Sequence, residues 1–343
     1  MIRYGVIGAG RMGRNHAEQL KLIPEAKITR VYDIAPERAE QFRADFGAEI
    51  CSGPEQLAES PDVDCVIVTS PTYCHIEGVE AALRAGKAIF CEKALCRTPE
   101  DARRILRAAE GYEKIFTVGF VRRHMAKTLL LKKLLDEGTI GRIRYCNLDL
   151  SLGLYRRMPG DWFADFELCG GVIVDMLAHH IDLANLFFGQ AGRVYAQGLL
   201  LDSAQPLPAD YAAAVVNYPN GIICNMICSW QRFGRSCEMM EIYGDQGALV
   251  LDGSDEITFY PAEGEMRKLD PRNGFAAAKP GEGVNQVNIG NGFYYELLNL
   301  TRALSGEPIP LPTVHDAWNS LAVSFAMLES ARNGRTAEVE VLP

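Results

Sequence analysis

The stretch that decides the fold opens the chain. Ile2-Arg-Tyr-Gly-Val-Ile7 leads into Gly8-Ala-Gly10-Arg-Met-Gly13, and Asp33 stands twenty positions beyond Gly13 at the end of the next apolar run. Strand, glycine turn, helix, strand and acid form the dinucleotide-binding fingerprint in its full context. Gly8 allows the tight turn, Gly10 leaves room for a pyrophosphate against the backbone, and Gly13 lets the helix pack close to the strand. Arg11 and Met12 complete the turn. Phosphates placed there meet a helix N-terminus, where free N–H groups and the dipole favour anions. The Asp33 carboxylate can accept from both ribose hydroxyls and would repel a 2′-phosphate, so NAD is expected rather than NADP. Arg38, five positions later, reads as a solvated helix residue.

Outward from this motif, residues 1–120 alternate between the two periodicities. Strands are predicted at Arg3–Ile7, Lys27–Tyr32, Asp64–Thr69, Ala88–Cys91 and Ile115–Gly119, with helices at Arg14–Leu22, Pro36–Phe46, His75–Ala85 and Pro99–Ala109. Alternation of this kind implies βαβ units and a doubly wound parallel sheet, a Rossmann domain. The pattern changes after residue 120. A helix at Lys127–Glu137 precedes a long alternating strand, Ile143–Leu150, and a further helix is predicted from about Val172 to Phe188. Strand-like runs then follow at Arg193–Leu200, Tyr211–Asn217, Ile222–Trp230, Glu238–Tyr243, Ala248–Leu251 and Glu256–Phe259, joined by turns such as Pro219-Asn220-Gly221. They predict an α+β domain with a large open, mostly antiparallel sheet. Residues 261–290 read as an irregular loop, and helices at Phe293–Leu304 and Val314–Asn333 close the chain. The expected domains are 1–120 for the dinucleotide and 121–343 for substrate binding and oligomerisation. The helix near 314–333 is expected to pack back near the first domain.

Composition bounds the function. A chain of 343 residues has room for two cores, and 48% hydrophobic with 23% charged residues is ordinary for a globular enzyme. A net charge of -9 argues against nucleic acid as a partner. No apolar run is long enough to span a membrane, and the first residues enter a strand with no signal peptide. The ten cysteines include no C-x-x-C pair, so they fit a reducing cytoplasm better than a zinc or redox motif.

Two further clusters can carry chemistry. Phe90-Cys-Glu92-Lys93 lies at the C-terminal end of a predicted parallel strand, where ligands of doubly wound sheets bind. Cys169-Gly-Gly171-Val-Ile-Val-Asp175-Met-Leu-Ala-His179-His180-Ile-Asp182 reads as a largely buried helix, with Asp175 and His179 four apart on one face. Acids and a histidine in such a run must pair or act. An Asp–His ion pair is the bland alternative. A metal site has no supporting ligand cluster, so none is expected. His16, His180 and His315 read as surface or packing residues.

These pieces, in this order, resemble the Gfo/Idh/MocA oxidoreductase family, the relatives of glucose-fructose oxidoreductase and inositol dehydrogenase. The matching segments are Gly8–Gly13, Thr69-Ser70-Pro71-Thr-Tyr-Cys-His75, Glu92-Lys93, Gly119-Phe-Val-Arg122-Arg123, Gly170-Gly171 followed by Asp175 and His179, and the close at Asp316–Gly334. The resemblance implies NAD(P)-dependent redox of sugars or polyols. Lys93 matches the family's catalytic lysine, and Asp175 and His179 match its Asp and His. Thr69, Ser70, Pro71, His75 and Glu92 match positions lining the cofactor. Ala94 stands where the family usually has proline.

The chemistry of the residues agrees. Oxidising a secondary alcohol needs a base with a pKa near the working pH, a role that suits His179, and a donor for the developing alkoxide, which suits Lys93. Asp175 would pair with Lys93 or bind a substrate hydroxyl. Arg122, Tyr155 and Trp162 are candidates for the substrate pocket, since an aromatic surface with polar neighbours suits a sugar ring. The expected function is oxidation of a cyclic polyol, sugar or glycoside, inositol or pyranose-like, by a homodimer or homotetramer formed through the C-terminal sheet. NAD-assisted glycoside cleavage through transient oxidation, and a non-catalytic NAD-sensing role, stay open.

Overall fold

The computed structural model describes residues 1–153, 161–199, 210–271 and 291–341. Six strands form a parallel sheet: β1 (Ile2–Ile7), β2 (Ala26–Tyr32), β3 (Glu49–Ile50), β4 (Cys65–Val68), β5 (Ala88–Glu92) and β6 (Phe116–Gly119), in the spatial order β3-β2-β1-β4-β5-β6. All of β4 is buried, which is why it reads as an unbroken apolar run rather than an alternation. Helices Arg11–Leu20, Pro36–Phe46, His75–Arg84 and Pro99–Ala109 connect the strands. The last starts as its sequence demands: Thr98 Oγ1 accepts from the Asp101 N–H at 3.1 Å, and Pro99 occupies the first turn. β3 and the short helix Pro54–Glu59 were not anticipated. Two exposed strand residues carry no periodicity to read.

The chain divides into two compact units that are not contiguous in sequence. One comprises Met1–His124 and Gln286–Trp318, the other Met125–Asn285 and Asn319–Pro343, so the division falls within the helix Val314–Asn333. Helix Gly292–Leu304 belongs to the first unit because its apolar face completes that core. Tyr294, Leu297 and Leu300 pack with Tyr4, Val6, Ile67 and Phe90, and the Tyr4 hydroxyl meets Thr301 Oγ1 at 2.7 Å. Periodicity shows that a helix has an apolar face, not which core that face covers.

The second unit holds a nine-stranded sheet: β7 (Ile143–Gly153), β8 (Arg193–Leu199), β9 (Tyr211–Asn217), β10 (Ile223–Arg232), β11 (Cys237–Gly244), β12 (Gly247–Leu251), β13 (Ile257–Pro261), β14 (Arg267–Leu269) and β15 (Ala337–Glu338). Its order is β14-β13-β12-β11-β7-β10-β9-β8-β15, antiparallel throughout except for the β7–β10 pair. β14 corrects the expectation of an irregular loop from 261, while 272–290 lie outside the described residues. Leu148 and Leu150 of β7, Met226 and Cys228 of β10 and Val216 of β9 are buried on one face. The alternate positions Tyr145, Val215, Ile223 and Ile227 are exposed on the other.

The single helix predicted over Val172–Phe188 is in fact two. Gly171–Val174 and Ala178–Phe188 are separated by a turn at residues 175–177, and Phe166–Val174 is bent from Ala178–Phe188 by 46°. The Leu177 N–H reaches back five residues to the Val172 carbonyl at 2.8 Å, which breaks the regular ladder. No Gly or Pro marks the break at residues 175–177, so periodicity alone reads through it. No single described helix is long and apolar enough to cross a membrane.

Candidate functional site

The glycine turn after β1 is held from two sides. Gly8 takes φ +101°, and a Cβ there would lie 2.5 Å from the Ser70 nitrogen. A Cβ on Gly13 would collide with the Gly8 carbonyl oxygen and come within 2.9 Å of Thr69 Oγ1. Thr69 Oγ1 donates to the Gly8 carbonyl at 2.7 Å, tying the end of β4 to the turn. Gly10 differs: it caps helix Arg11–Leu20, no side chain bonds that helix end, and nothing lies within 4 Å of where its Cβ would be. Arg11 is exposed, Met12 half-buried. Asp33 Oδ2 accepts from the Ala9 N–H at 2.7 Å and Oδ1 from the Ala35 N–H at 2.8 Å, so its carboxylate is fixed beside the turn. Open space over an uncapped helix N-terminus, with a fixed acid at the next strand end, fits a dinucleotide. Arg38 is exposed on its helix.

Beyond β4 and β5 the chain is pinned again. Ser70 and Pro71 form the loop, and His75 is buried behind it with Nε2 at 2.8 Å from the Ser70 carbonyl and Nδ1 at 2.9 Å from the Ala94 carbonyl. Burial pushes its pKa down, against the pull of the Ser70 hydrogen bond and the Glu92 charge, so the ring is held towards neutrality. Glu92 is buried at the end of β5. Its Oε1 lies 2.7 Å from His16 Nε2, and its Oε2 accepts from the Lys93 N–H at 3.0 Å. Burial alone would raise this carboxyl; the His16 hydrogen bond and the charges of His16 and Lys93 outweigh it and hold Glu92 below the usual range. Lys93 is half-buried in the turn that follows, and Arg122 is half-buried in the turn Val121–His124 after β6.

In the second unit, Asp175 and His179 are both half-buried within a run whose other members from Gly171 to Asp182 are buried. Asp175 stands at the bend and His179 in the first turn of the following helix, rather than on one regular helical face. Trp162 is half-buried in a short turn opened by Asp161, whose Oδ1 accepts from the Phe163 N–H at 3.1 Å. Its ring lies 3.9 Å from that of Phe163. Tyr155 lies outside the described residues. Among the described residues no three His, Cys, Asp or Glu side chains group as a metal site.

The sequence reading assigned no role to His124 and Glu296, both buried. Of the two readings offered for His16, packing holds: with Gly13, Ala17 and Leu20 it forms the buried face of its helix. The i, i+3 spacing from Gly13 was the available signal. His124 Nδ1 lies 3.1 Å from the Asn299 amide nitrogen. Burial and the Arg123 charge lower its pKa to about 4. His180 is buried and His315 exposed.

A parallel sheet whose first turn is shaped for a dinucleotide, joined in one chain to an open antiparallel sheet, defines a nucleotide-dependent oxidoreductase of two units. The comparisons are specific. Residues 2–120 match the model of an oxidoreductase family with an NAD-binding Rossmann fold, and residues 128–250 match the GFO/IDH/MocA C-terminal domain. Myo-inositol 2-dehydrogenase of Thermotoga maritima is 30% identical over 263 residues, covering 75% of this chain and 77% of that protein. The scyllo-inositol 2-dehydrogenase (NAD(+)) of Bacillus subtilis is 27% identical, covering 99% and 97%. A levoglucosan dehydrogenase solved with NADH and levoglucosan shares the fold, with TM-score 0.88 at 23% identity over 99% of this chain and 100% of that one. The chain belongs to the Gfo/Idh/MocA oxidoreductase family, and NAD is its cofactor.

Proposed function

We propose that this protein is an NAD-dependent dehydrogenase that oxidises a secondary hydroxyl of a cyclic polyol or sugar, an inositol or pyranose ring. The observation that carries the reading is the Glu92–Lys93 turn. It puts a lysine at the C-terminal end of a central parallel strand and anchors its backbone to a buried carboxylate. Relatives named for inositol oxidation support the substrate class.

When bound, NAD supplies the hydride acceptor. Lys93 donates a hydrogen bond to the reacting oxygen and favours the developing alkoxide. His179 takes the hydroxyl proton as general base. Asp175 holds a neighbouring substrate hydroxyl. Gly8, Gly10 and Gly13, with Arg11 and Met12, receive the pyrophosphate. Asp33 binds the ribose and discriminates against NADP. Thr69, Ser70, Pro71 and His75 shape the wall beyond β4, while Arg122 and Trp162 contact the substrate.

The exposed face of the nine-stranded sheet supports assembly as a homodimer or homotetramer. Tyr145, Val215, Ile223 and Ile227 line it, and Tyr145 stacks on Tyr243 at 4.5 Å. Ten free cysteines suit the reducing cytoplasm.

The test is a panel of inositols, aldoses, sugar acids and glycosides with NAD and NADP, read by the absorbance of reduced cofactor. NADH should accumulate with a cyclic polyol or sugar. Product release without it would favour glycoside cleavage instead, and binding of NAD without turnover on any member would overturn the dehydrogenase reading.

A further inference from the structure

Helix Gly292–Leu304 carries an acid into the interior of the first unit. Glu296 is 2% exposed, and neither of its carboxyl oxygens has a hydrogen-bond partner among the described residues. One turn earlier on the same helix, Phe293 meets the His16 ring edge-on at 5.8 Å, and Phe90 of β5 meets that ring at 5.1 Å. His16 itself is fully buried: Nε2 faces Glu92, and Nδ1 has no partner among the described residues. Glu92 reaches on from His16 to the backbone N–H of Lys93. Two carboxyls and an imidazole are therefore buried together, with the Glu92 charge acting on Glu296 and Glu92 itself bonded to the backbone of the lysine turn.

The charged groups around this compartment are His16 on helix Arg11–Leu20, Glu92 and Lys93 at the end of β5, and Arg122, Arg123 and His124 in the turn against which helix Gly292–Leu304 packs. Arg123 pairs with Asp316 at 3.1 Å, and His124 meets Asn299. None of them hydrogen-bonds Glu296. The charge Glu296 feels is that of Glu92. A second anion, desolvated, without a hydrogen bond and beside the first, is the least favourable occupant of this space, and a proton removes the conflict.

We propose that Glu296 is carried as the neutral acid and is a positioning residue for Lys93: the Glu92–Glu296 pair keeps one proton on Glu296, so that Glu92 stays a lone anion fixed between His16 and the Lys93 backbone. Burial and the Glu92 charge both push Glu296 well above the usual carboxylate range, while Glu92 is held below it. The link to Lys93 rests on the proposed function, but the proton assignment does not.

The sign of the pH effect follows. The unfolded chain ionises Glu296 in the ordinary carboxylate range, whereas the fold keeps it protonated. Glu296 therefore costs stability increasingly as pH rises above that range. Gln at this position has the shape of the neutral acid and lacks the penalty. Denaturant midpoints of wild type and Glu296→Gln between about pH 5 and pH 8 read this directly. The variant should gain on wild type as pH rises, by up to about tenfold in the folding equilibrium constant per pH unit. A stability difference that does not change with pH overturns the assignment. Should Glu296→Gln fail to fold, infrared spectra of wild type labelled with 13C-glutamate decide. A protonated carboxyl band at neutral pH supports the proposal, and its absence refutes it. For the positioning role, Glu92→Gln should lower kcat at least about tenfold with little change in KM. In the folded Glu296→Gln protein, the alkaline limit of kcat should move upward. An unmoved pH profile removes the role. Normal turnover by Lys93→Ala would remove the proposed function instead, and leave the proton on Glu296 to the stability slope.

Discussion

The two sheets solve opposite problems. In the parallel sheet both faces are covered, and the polar groups at its strand ends are tied down one by one: Thr69 to the Gly8 carbonyl, Asp33 to two backbone N–H groups, Glu92 to His16 and the Lys93 N–H. The nine-stranded sheet covers one face with helices and leaves Tyr145, Val215, Ile223 and Ile227 of the other exposed. Its candidate chemical groups, Asp175 and His179, stand at a bend and just after it, among buried apolar neighbours. A preset cradle suits a cofactor that does not change. A bend set by surrounding side chains can be re-aimed by repacking, which suits the half proposed to choose the substrate.

The largest test asks whether both halves serve one reaction. Lys93→Ala, from the pinned half, and His179→Ala, from the bend, should each lower kcat by about 10²–10⁴-fold while NADH affinity stays within about threefold. Steady-state kinetics with the best polyol of the panel, alongside fluorescence titration of NADH, checks this. A large loss for one variant and none for the other would place the chemistry in one unit alone.

The next test concerns how tightly the first unit holds its neutral groups. His124 titrates at about 4 in the fold, lowered by burial and by Arg123. The free side chain titrates near 6.5, so between these values the unfolded chain takes a proton that the fold refuses. Stability should fall as pH drops through that window, by up to about 3 kcal/mol at its lower end. Below about pH 4 this group adds no further loss. His124→Gln should flatten the acid limb of the stability curve; an unchanged slope would show that His124 protonates freely.

The same contrast explains what could be read from the residues. The parallel sheet was legible because its signals are local. Gly8, Gly10, Gly13 and Asp33 announce the turn and its acid, and the buried run Cys65–Val68 announces a central strand. The compartment of His16, Glu92 and Glu296 was not, because Glu296 joins it from a helix more than two hundred positions later in the chain, and a helical period does not name its partner. The bend at Asp175 was hidden for a related reason. No helix-breaking residue marks it, and the segment before it, Gly171–Val174, packs on β9 and β10 through contacts that lie far along the chain.

Within the glycine turn the contrast narrows to single carbons. Gly13→Ala puts a methyl group against the Gly8 carbonyl and the Thr69 hydroxyl, in a part of the unit with no slack. A loss of about 1–3 kcal/mol in denaturant titration is expected, with cofactor affinity falling as the turn shifts. Gly10→Ala meets only open space. Its stability should stay within about 1 kcal/mol of wild type, while NADH affinity, read by the same titration, falls at least about tenfold because the methyl group occupies the pyrophosphate's approach. Equal behaviour of the two variants would mean that the space over Gly10 does not receive the cofactor.

The smallest effect on the protomer belongs to the exposed sheet face. Ile227 is 38% exposed in the middle of β10, with Ala213 as its cross-strand partner and Asp149 opposite on β7. Aspartate there adds charge next to Asp149, whose carboxylate already pairs with Arg232 at 2.8 Å. Since the position is solvated in the protomer, Ile227→Asp should cost the folded chain only about 1 kcal/mol. In an assembly that buries this face, the same charge is desolvated in every copy at once. Sedimentation velocity should then show an oligomer for wild type and a smaller species for the variant, with NADH affinity retained. A wild type that sediments as a monomer would leave the apolar face without the partner proposed for it, and would confine the role of the second unit to its buried side.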